Sequence, residues 1–390
     1  MNKQHNKLVA IVKYFYPVAA GIETNMLETY SVLAKKGWDI TIFTTKDTLT
    51  EKNILKDFEI VRNLKVKRLS YIKYALLQFN WNKADLVCLH NFDLIPQMFI
   101  LGNSLFRKTL GKKDYKLFIT PHGGFTPEWT IFNPVSAIIK KTIHYTLGTF
   151  LINKVVDGVR AVSLWEKKEV VARGVNANKV SVISNGVEDE AYLDVEKLAR
   201  WEIKEKVRVY GKYLIQIGRI YPIKNYETTI RALAQVPNDI NFVIAGPVSD
   251  NAYLEKLKTL IKELNLEKRV FFAGVIRGVD KYYLIKNAQI MVHMAIWESF
   301  CNVVHEGMSQ GLPCIVANNT ALPLLVKNGK NGFCVGTKDY KALAEKINFI
   351  LKNKNTPKVK KISQTNRKFG LQESWQNVAL KMDNLYQPLI

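Results

Sequence analysis

Ile217-Gly218-Arg219-Ile220-Tyr221-Pro222-Ile223-Lys224-Asn225 follows a largely apolar run that starts at Tyr213 and precedes an amphipathic pattern from Glu227 to Ala234. Strand, short glycine-containing loop, then helix is the opening unit of a parallel α/β sheet. The first half of the chain opens the same way, with Leu8 to Glu23 leading into Asn25 to Lys35. Further strand candidates are Asp39–Thr44, Asp85–Leu89, Lys116–Thr120, Gly158–Val162 and Val180–Ile183, then Asn241–Ala245, Val270–Phe272, Gln289–Val292, Pro313–Ala317 and Gly332–Val335. One sheet of about twelve strands exceeds the usual limit, so the two openings imply two Rossmann-like domains. Two parallel sheets facing a central cleft are expected.

Length agrees: 390 residues exceed the roughly 250–300 at which a single core stops growing. With 47% hydrophobic and 23% charged residues there is apolar material for two cores. The boundary is expected after Ser184-Asn185-Gly186-Val187, in the acidic stretch Glu188 to Glu196. The domains are then 1–190 and 191–370, with a C-terminal helix in 371–390.

Cys88, Cys301, Cys314 and Cys334 show no paired ligand spacing and lie in apolar or motif segments, which points to a reduced, cytoplasmic compartment. The apolar run Leu8 to Val12 after Met1-Asn2-Lys3-Gln4-His5 is too short for a signal sequence. No uninterrupted apolar stretch of about 18 residues suggests a spanning helix.

The formal charge is +23. Between Val61 and Lys116, 11 basic residues (Arg62, Lys65, Lys67, Arg68, Lys73, Lys83, Arg107, Lys108, Lys112, Lys113, Lys116) face three acids, interleaved with Tyr71, Tyr74, Leu76, Leu77, Phe79, Trp81, Met98, Phe99, Leu101, Leu105 and Phe106. This mixture suits either a helix lying on an anionic membrane, with the protein peripheral on its inner face, or a solvated basic face over core helices. Nucleic acid is not expected as a partner, because zinc spacing, aromatic RNP-like patterns and basic heptads are all missing. The basic run Lys352 to Lys368 reads as a solvated linker.

Arg219 and Lys224 place two cations at the carboxyl edge of a sheet, where a leaving diphosphate needs fixed positive charge. In Trp297-Glu298-Ser299-Phe300-Cys301-Asn302-Val303-Val304-His305-Glu306-Gly307, Glu298 sits at a strand-to-helix turn and Glu306 within an apolar helix. A carboxylate there needs hydrogen bonds, which sugar and ribose hydroxyls could supply; a helix cap and an internal salt bridge would also satisfy the pair.

The order Gly-Arg-x(4)-Lys, Glu-x(7)-Glu and Gly311-Leu312-Pro313, after Tyr16-Pro17-x(3)-Gly21-x-Glu23, resembles the retaining glycosyltransferases of family 4, which have the GT-B fold. Ala161-Val162-Ser163, Val182 to Val187 and Ile244-Ala245-Gly246 extend the resemblance over nearly the whole chain. It implies transfer of a sugar from a nucleotide-diphosphate sugar to a glycan or lipid-linked acceptor, without a metal or other cofactor. Arg219 and Lys224 would hold the donor diphosphate beside Gly218, Glu298 the transferred sugar, and Glu306 the ribose. Backbone N–H groups of Asn302 and Val303 would approach phosphate, and backbone around Gly274 and Val275 the base. Gly21 would let the N-terminal loop come close, and His122 in Thr120-Pro121-His122-Gly123-Gly124 matches the family's histidine near the donor sugar. The final helix, Glu373 to Tyr386, would cross back onto the first domain. The leaving phosphate could accept the acceptor proton itself.

The chain departs from the family pattern at Ala20, where many relatives have a second glycine, at Leu324, where glutamate is common, and at Cys301, often glycine. Two other classes stay open: a silent GT-B subunit that binds but does not transfer, and a nucleotide-sugar epimerase.

Overall fold

The computed structural model describes residues 6–18, 20–46, 55–75 and 84–390. The chain divides into two compact units, Met1–Asn185 with Trp375–Ile390, and Gly186–Ser374. The break thus falls five residues before the expected one at residue 190. The reason is local: Val187 bridges Ser374, and Val187, Ala191 and Val195 pack with Tyr282 in a small core of the second unit.

The first unit holds strands β1 (Lys7–Ile11), β2 (Asp39–Thr45), β3 (Phe58–Val61), β4 (Leu64–Leu69), β5 (Leu86–His90), β6 (Lys116–Thr120), β7 (Gly158–Ala161) and β8 (Val180–Val182). They form one sheet in the order β3-β4-β2-β1-β5-β6-β7-β8, parallel except for β3. Successive side chains point to opposite faces, and here both faces are covered. Leu8 and Ala10 enter one core with α1 (Gly21–Lys35) and the last helix, while Ile11, Val87 and Leu89 enter another. That second core is roofed by α3 (Phe99–Thr109) and α5 (Thr149–Val155), with α2 (Tyr71–Ala75), α4 (Pro134–Ile143) and α6 (Leu164–Ala172) completing the helices before the break.

Two expectations are corrected here. The start of the basic segment 61–116 is a β-hairpin and not a membrane-lying helix. Arg62 and Asn63, both at positive φ, make its turn; Lys65 and Lys67 point outward, and Arg68 is buried against Glu59 and the Tyr16 carbonyl. Leu76, Leu77, Phe79, Trp81 and Lys83 lie outside the described residues. The basic run 352–368 is largely a helix, because Val359, Ile362, Asn366 and Gly370 recur on one buried face.

The second unit is a six-stranded, all-parallel sheet, ordered β11-β10-β9-β12-β13-β14. Its strands are β9 (Lys212–Ile217), β10 (Ile240–Ala245), β11 (Val270–Gly274), β12 (Ile290–His293), β13 (Cys314–Ala317) and β14 (Gly332–Val335). Its helices are α7 (Val195–Leu198), α8 (Trp201–Tyr210), α9 (Tyr226–Leu233), α10 (Asn251–Glu263), α11 (Gly278–Lys286), α12 (Asn302–Ser309), α13 (Leu322–Leu325), α14 (Tyr340–Lys352) and α15 (Pro357–Gly370). The final helix, α16 (Trp375–Tyr386), returns to the first unit: Trp375, Val378, Met382 and Tyr386 pack with Leu8, Met26 and Trp38, and Trp38 donates to Asp383 at 2.9 Å. Among the described residues no helix is long and apolar enough to cross a membrane.

Candidate active site

The second unit gathers most of the expected site residues at the carboxyl ends of β9, β11 and β12, where ligands bind in open parallel sheets. Gly218 follows β9 beside Gly246, which follows β10. A Cβ on Gly246 would lie 2.1 Å from the Gly218 carbonyl oxygen, so only glycine lets these loops meet. Pro222–Lys224 form a single 3-10 turn, closed by Asn225 at φ +50. The Asn225 amide donates to the carbonyls of Met294 (2.9 Å) and Thr337 (2.7 Å), which fixes the turn and aims Lys224.

The Lys224 ammonium lies 2.5 Å from Glu298 Oε1, and His293 Nε2 lies 2.8 Å from the same oxygen. Burial is the largest influence on Glu298 and pushes its carboxyl up; Lys224 and His293 outweigh it and hold the group at about 2. The same burial, aided by Lys224 and opposed by Glu298, keeps His293 below its ordinary value. His293 Nδ1 is buried without a hydrogen bond. His293, Glu298 and Cys301 bring a nitrogen, an oxygen and a sulfur within 4.8 Å, a spacing open to a metal ion. A fixed ammonium already at that carboxylate disfavours a second cation there. Arg219 makes no ion pair among the described residues; its guanidinium lies 5.8 Å from the centre of the Tyr221 ring.

Cys301 turns the chain into α12 at φ +90, ψ 78, a left-handed conformation that favours glycine. Asn302 and Val303 therefore open α12, at the positive end of its dipole. Further along this helix Glu306 is buried, with Oε2 3.1 Å from Lys281 Nζ. Lys281 also contacts Glu188 at 2.5 Å, so one ammonium bridges two carboxylates. Burial and Glu188 raise the Glu306 carboxyl against the pull of Lys281. Burial would lower Lys281, but the two carboxylates prevail and raise it. Glu306 Oε2 has this counter-ion but no aligned hydrogen-bond donor. Gly274 takes φ +71 and Val275 is half exposed, so backbone at the end of β11 is accessible.

In the first unit, Gly21 opens α1 behind an extended Ala20. His122 follows β6 at φ +50. Gly124 is required there, because a Cβ would fall 1.9 Å from Asn91 Oδ1. His122 Nε2 lies 2.9 Å from His90 Nδ1, and His90 Nε2 lies 2.6 Å from the Tyr30 hydroxyl. Burial first, then neighbouring His90 and Arg160, depress His122 well below its ordinary value; burial and Arg160 take His90 down to about 3. Glu166 ties the turn down by accepting from the N–H groups of Gly123 and of Val162, the latter at 2.7 Å. Burial pushes this carboxyl up to about 7, against those two bonds. Arg160, fully buried, donates to Asn25 (3.0 Å) and Asn185 (3.2 Å) and to the Ile183 carbonyl.

His293, Lys281, Glu166, His90 and Arg160 were not singled out from sequence, and Glu188 was read only as part of an acidic linker and a poor metal site. A charged residue inside an apolar strand, such as Arg160, was the one available signal.

Residues 199–369 match the family described as Glycosyl transferases group 1, and residues 19–191 match Glycosyltransferase Family 4. The chain is a GT-B glycosyltransferase. An uncharacterized glycosyltransferase of Methanocaldococcus jannaschii is 24% identical over 98% of this enzyme and 99% of its own length. The Escherichia coli UDP-Gal:alpha-D-GlcNAc-diphosphoundecaprenol alpha-1,3-galactosyltransferase is 30% identical over 190 residues, 45% of the enzyme and 46% of that relative. Among solved structures, Anabaena HepE in complex with UDP and glucose shares the fold, with a TM-score of 0.78 and 19% identity over 98% of this chain and 100% of that one.

Proposed function

We propose that the enzyme transfers a sugar, with retention of configuration, from a UDP-sugar to a hydroxyl of a glycan or lipid-linked acceptor. The observation that carries the donor reading is Glu306 Oε2, a buried carboxylate oxygen with a counter-ion but no aligned donor. A ribose hydroxyl supplies such a donor. Arg219, Lys224 and the start of α12 then offer charge and N–H groups to the diphosphate. Negative charge develops on that group as the sugar–oxygen bond breaks, and these cations stabilise it there.

Glu298 supports the retaining reading. Clamped by Lys224 and His293 and held at about 2, it is a poor proton acceptor near neutral pH. It serves instead to orient Lys224 and to accept sugar hydroxyls, while the leaving phosphate takes the acceptor proton. On this reading no metal takes part, and His122, fixed through His90 and Tyr30, keeps its family role at the donor sugar. HepE with UDP and glucose supports uridine as the base, and the diphosphoundecaprenol in the name of the E. coli relative supports a lipid-linked acceptor. Four free cysteines agree with the cytoplasmic face of a membrane.

A thermal-shift series with UDP, GDP, ADP and CMP tests the donor. A ligand at about 100 times its dissociation constant adds roughly 2.7 kcal/mol. A shift with UDP that is lost in Glu306→Ala is expected; an equal shift in that variant would overturn the ribose assignment. NMR of the product's anomeric proton tests retention, and an inverted linkage would refute it.

A further inference from the structure

Thr320 lies between β13 and α13 at φ +44, in the left-handed region. A β-branched residue is a genuine outlier there, because its Cβ substituents crowd backbone that glycine leaves free. Among the described residues eight non-glycine positions take a positive φ, and three of them surround the Lys224–Glu298 pair. Asn225 follows Lys224, Cys301 caps the helix that starts just after Glu298, and Thr320 bonds Glu298 directly. Asparagine tolerates this conformation; threonine does not. Strain gathered around one ion pair marks a functional position.

The hydroxyl shows what the strain secures. Thr320 Oγ1 accepts from the Glu298 N–H at 3.1 Å and donates to Asn319 Oδ1 at 2.9 Å. The Ala321 N–H donates to the Glu298 carbonyl at 3.2 Å, so this loop grips both backbone groups of Glu298. Asn319 is held in turn, its amide donating to the Ala295 carbonyl and to Thr337 Oγ1, each at 2.9 Å. The Thr337 carbonyl takes the Asn225 amide at 2.7 Å, and Asn225 closes the turn that carries Lys224. One run of contacts, Glu298–Thr320–Asn319–Thr337–Asn225, therefore anchors both partners of the 2.5 Å ion pair. We propose that Thr320 is a positioning residue whose hydroxyl sets where the Glu298 carboxylate stands against Lys224 and His293. Glycine would suit the turn better, so the hydroxyl and not the turn accounts for threonine. The effect on transfer rests on the proposed role of Glu298 at the donor sugar, where a misplacement of about 1 Å costs about 100-fold in rate.

Three variants separate the hydroxyl from the backbone. Thr320→Gly removes strain and hydroxyl together, Thr320→Ser keeps the hydroxyl, and Thr337→Val breaks the run at Asn319 while sparing the carbonyl bond to Asn225. Thr320→Gly should stay folded, since relief of strain offsets the lost hydrogen bond. It should nevertheless move the imidazole NMR resonances of His293, which shares the Glu298 oxygen, and lower turnover about 10- to 100-fold. Affinity for UDP, which lacks the transferred sugar, should not change. Thr320→Ser should restore both the resonances and turnover, and Thr337→Val should move His293 in the same direction as Thr320→Gly, deciding the point if glycine unfolds the loop. Unmoved His293 resonances in Thr320→Gly and Thr337→Val, or a Thr320→Ser variant no closer to wild type than Thr320→Gly, would overturn the proposal. Moved resonances with wild-type turnover would uphold the positioning and remove Glu298 from the donor-sugar role, so the two readings fail separately.

Discussion

Replacing Lys224 with methionine removes one of the two groups that hold the Glu298 carboxylate. In the wild type that carboxyl lies at about 2 where 4.5 is ordinary. At about 1.4 kcal/mol for each power of ten in proton affinity, the folded state favours the ionised form by about 3 kcal/mol. For a depressed carboxyl this contribution is complete above pH 4.5 and is lost as pH falls towards 2. Side chains of Lys224 and Glu298 are only 18% and 14% exposed, so the variant leaves a largely desolvated charge, at a cost of about 3–5 kcal/mol. His293 remains 2.8 Å from the same oxygen, relieved of repulsion from Lys224. It should now gain a proton more readily than in the wild type, although burial, the largest cause, still holds it below 6.5. A histidine depressed in the fold costs stability as pH falls below 6.5, and a smaller depression costs less there. Lys224→Met should therefore lose about 3 kcal/mol or more at pH 8 and measurably less at pH 6, in urea unfolding, with an upward move of the His293 ring titration by NMR. Turnover should fall about 100-fold at either pH. An equal loss at both pH values with an unmoved His293 would refute the shared-oxygen reasoning, and unchanged turnover the leaving-group role.

Lys281→Met strands Glu188 and Glu306 side by side and should destabilise by about 3–5 kcal/mol, with Glu188→Gln restoring part of it. Additivity within about 0.5 kcal/mol in that double-mutant cycle would show that the bridge does not couple them. Glu166, raised from 4.5 to about 7, favours the fold below pH 4.5 and loses that contribution as pH rises towards 7, by about 3 kcal/mol at most. Glu166→Gln should flatten the stability slope between pH 5 and 8, and an unaltered slope would count against the protonated carboxyl. Cys301→Gly relieves a left-handed backbone while losing a buried thiol, so unfolding should change by no more than about 1 kcal/mol. Cys314→Gly, inside a buried strand, should lose more than about 2 kcal/mol; similar losses for both would mean that Cys301 carries no strain.

The parallel strands were legible because both faces of each sheet are covered, which makes runs such as Leu8 to Ile11 and Phe242 to Ala245 apolar throughout. The hairpin Phe58–Leu69 escaped because its lysines alternate with Leu64, Val66 and the buried Arg68, and net basicity masked the period of two. The helix Pro357–Gly370 escaped for a similar reason: four core positions among many lysines read as solvated. Lys224 and Glu298 were legible as motif members, and Cys301 as a departure whose backbone now explains the usual glycine. Their partners were not. Lys281 meets Glu188 across 93 positions and Gly123 meets Glu166 across 43, and no local periodicity encodes such pairings.

The C-terminal helix carries a consequence for biosynthesis. Residues 1–185 leave the ribosome first, yet the core around Leu8, Met26 and Trp38 lacks Trp375, Val378, Met382 and Tyr386 until the last stretch is made. Synthesis therefore finishes the second unit before the first, and the opening half must wait on the ribosome with one face of its sheet covered by α1 but not yet by α16. A ribosome stalled before residue 375 would hold a complete second unit beside an apolar surface open to chaperones, and a chain cut there would be marked for degradation by its first half.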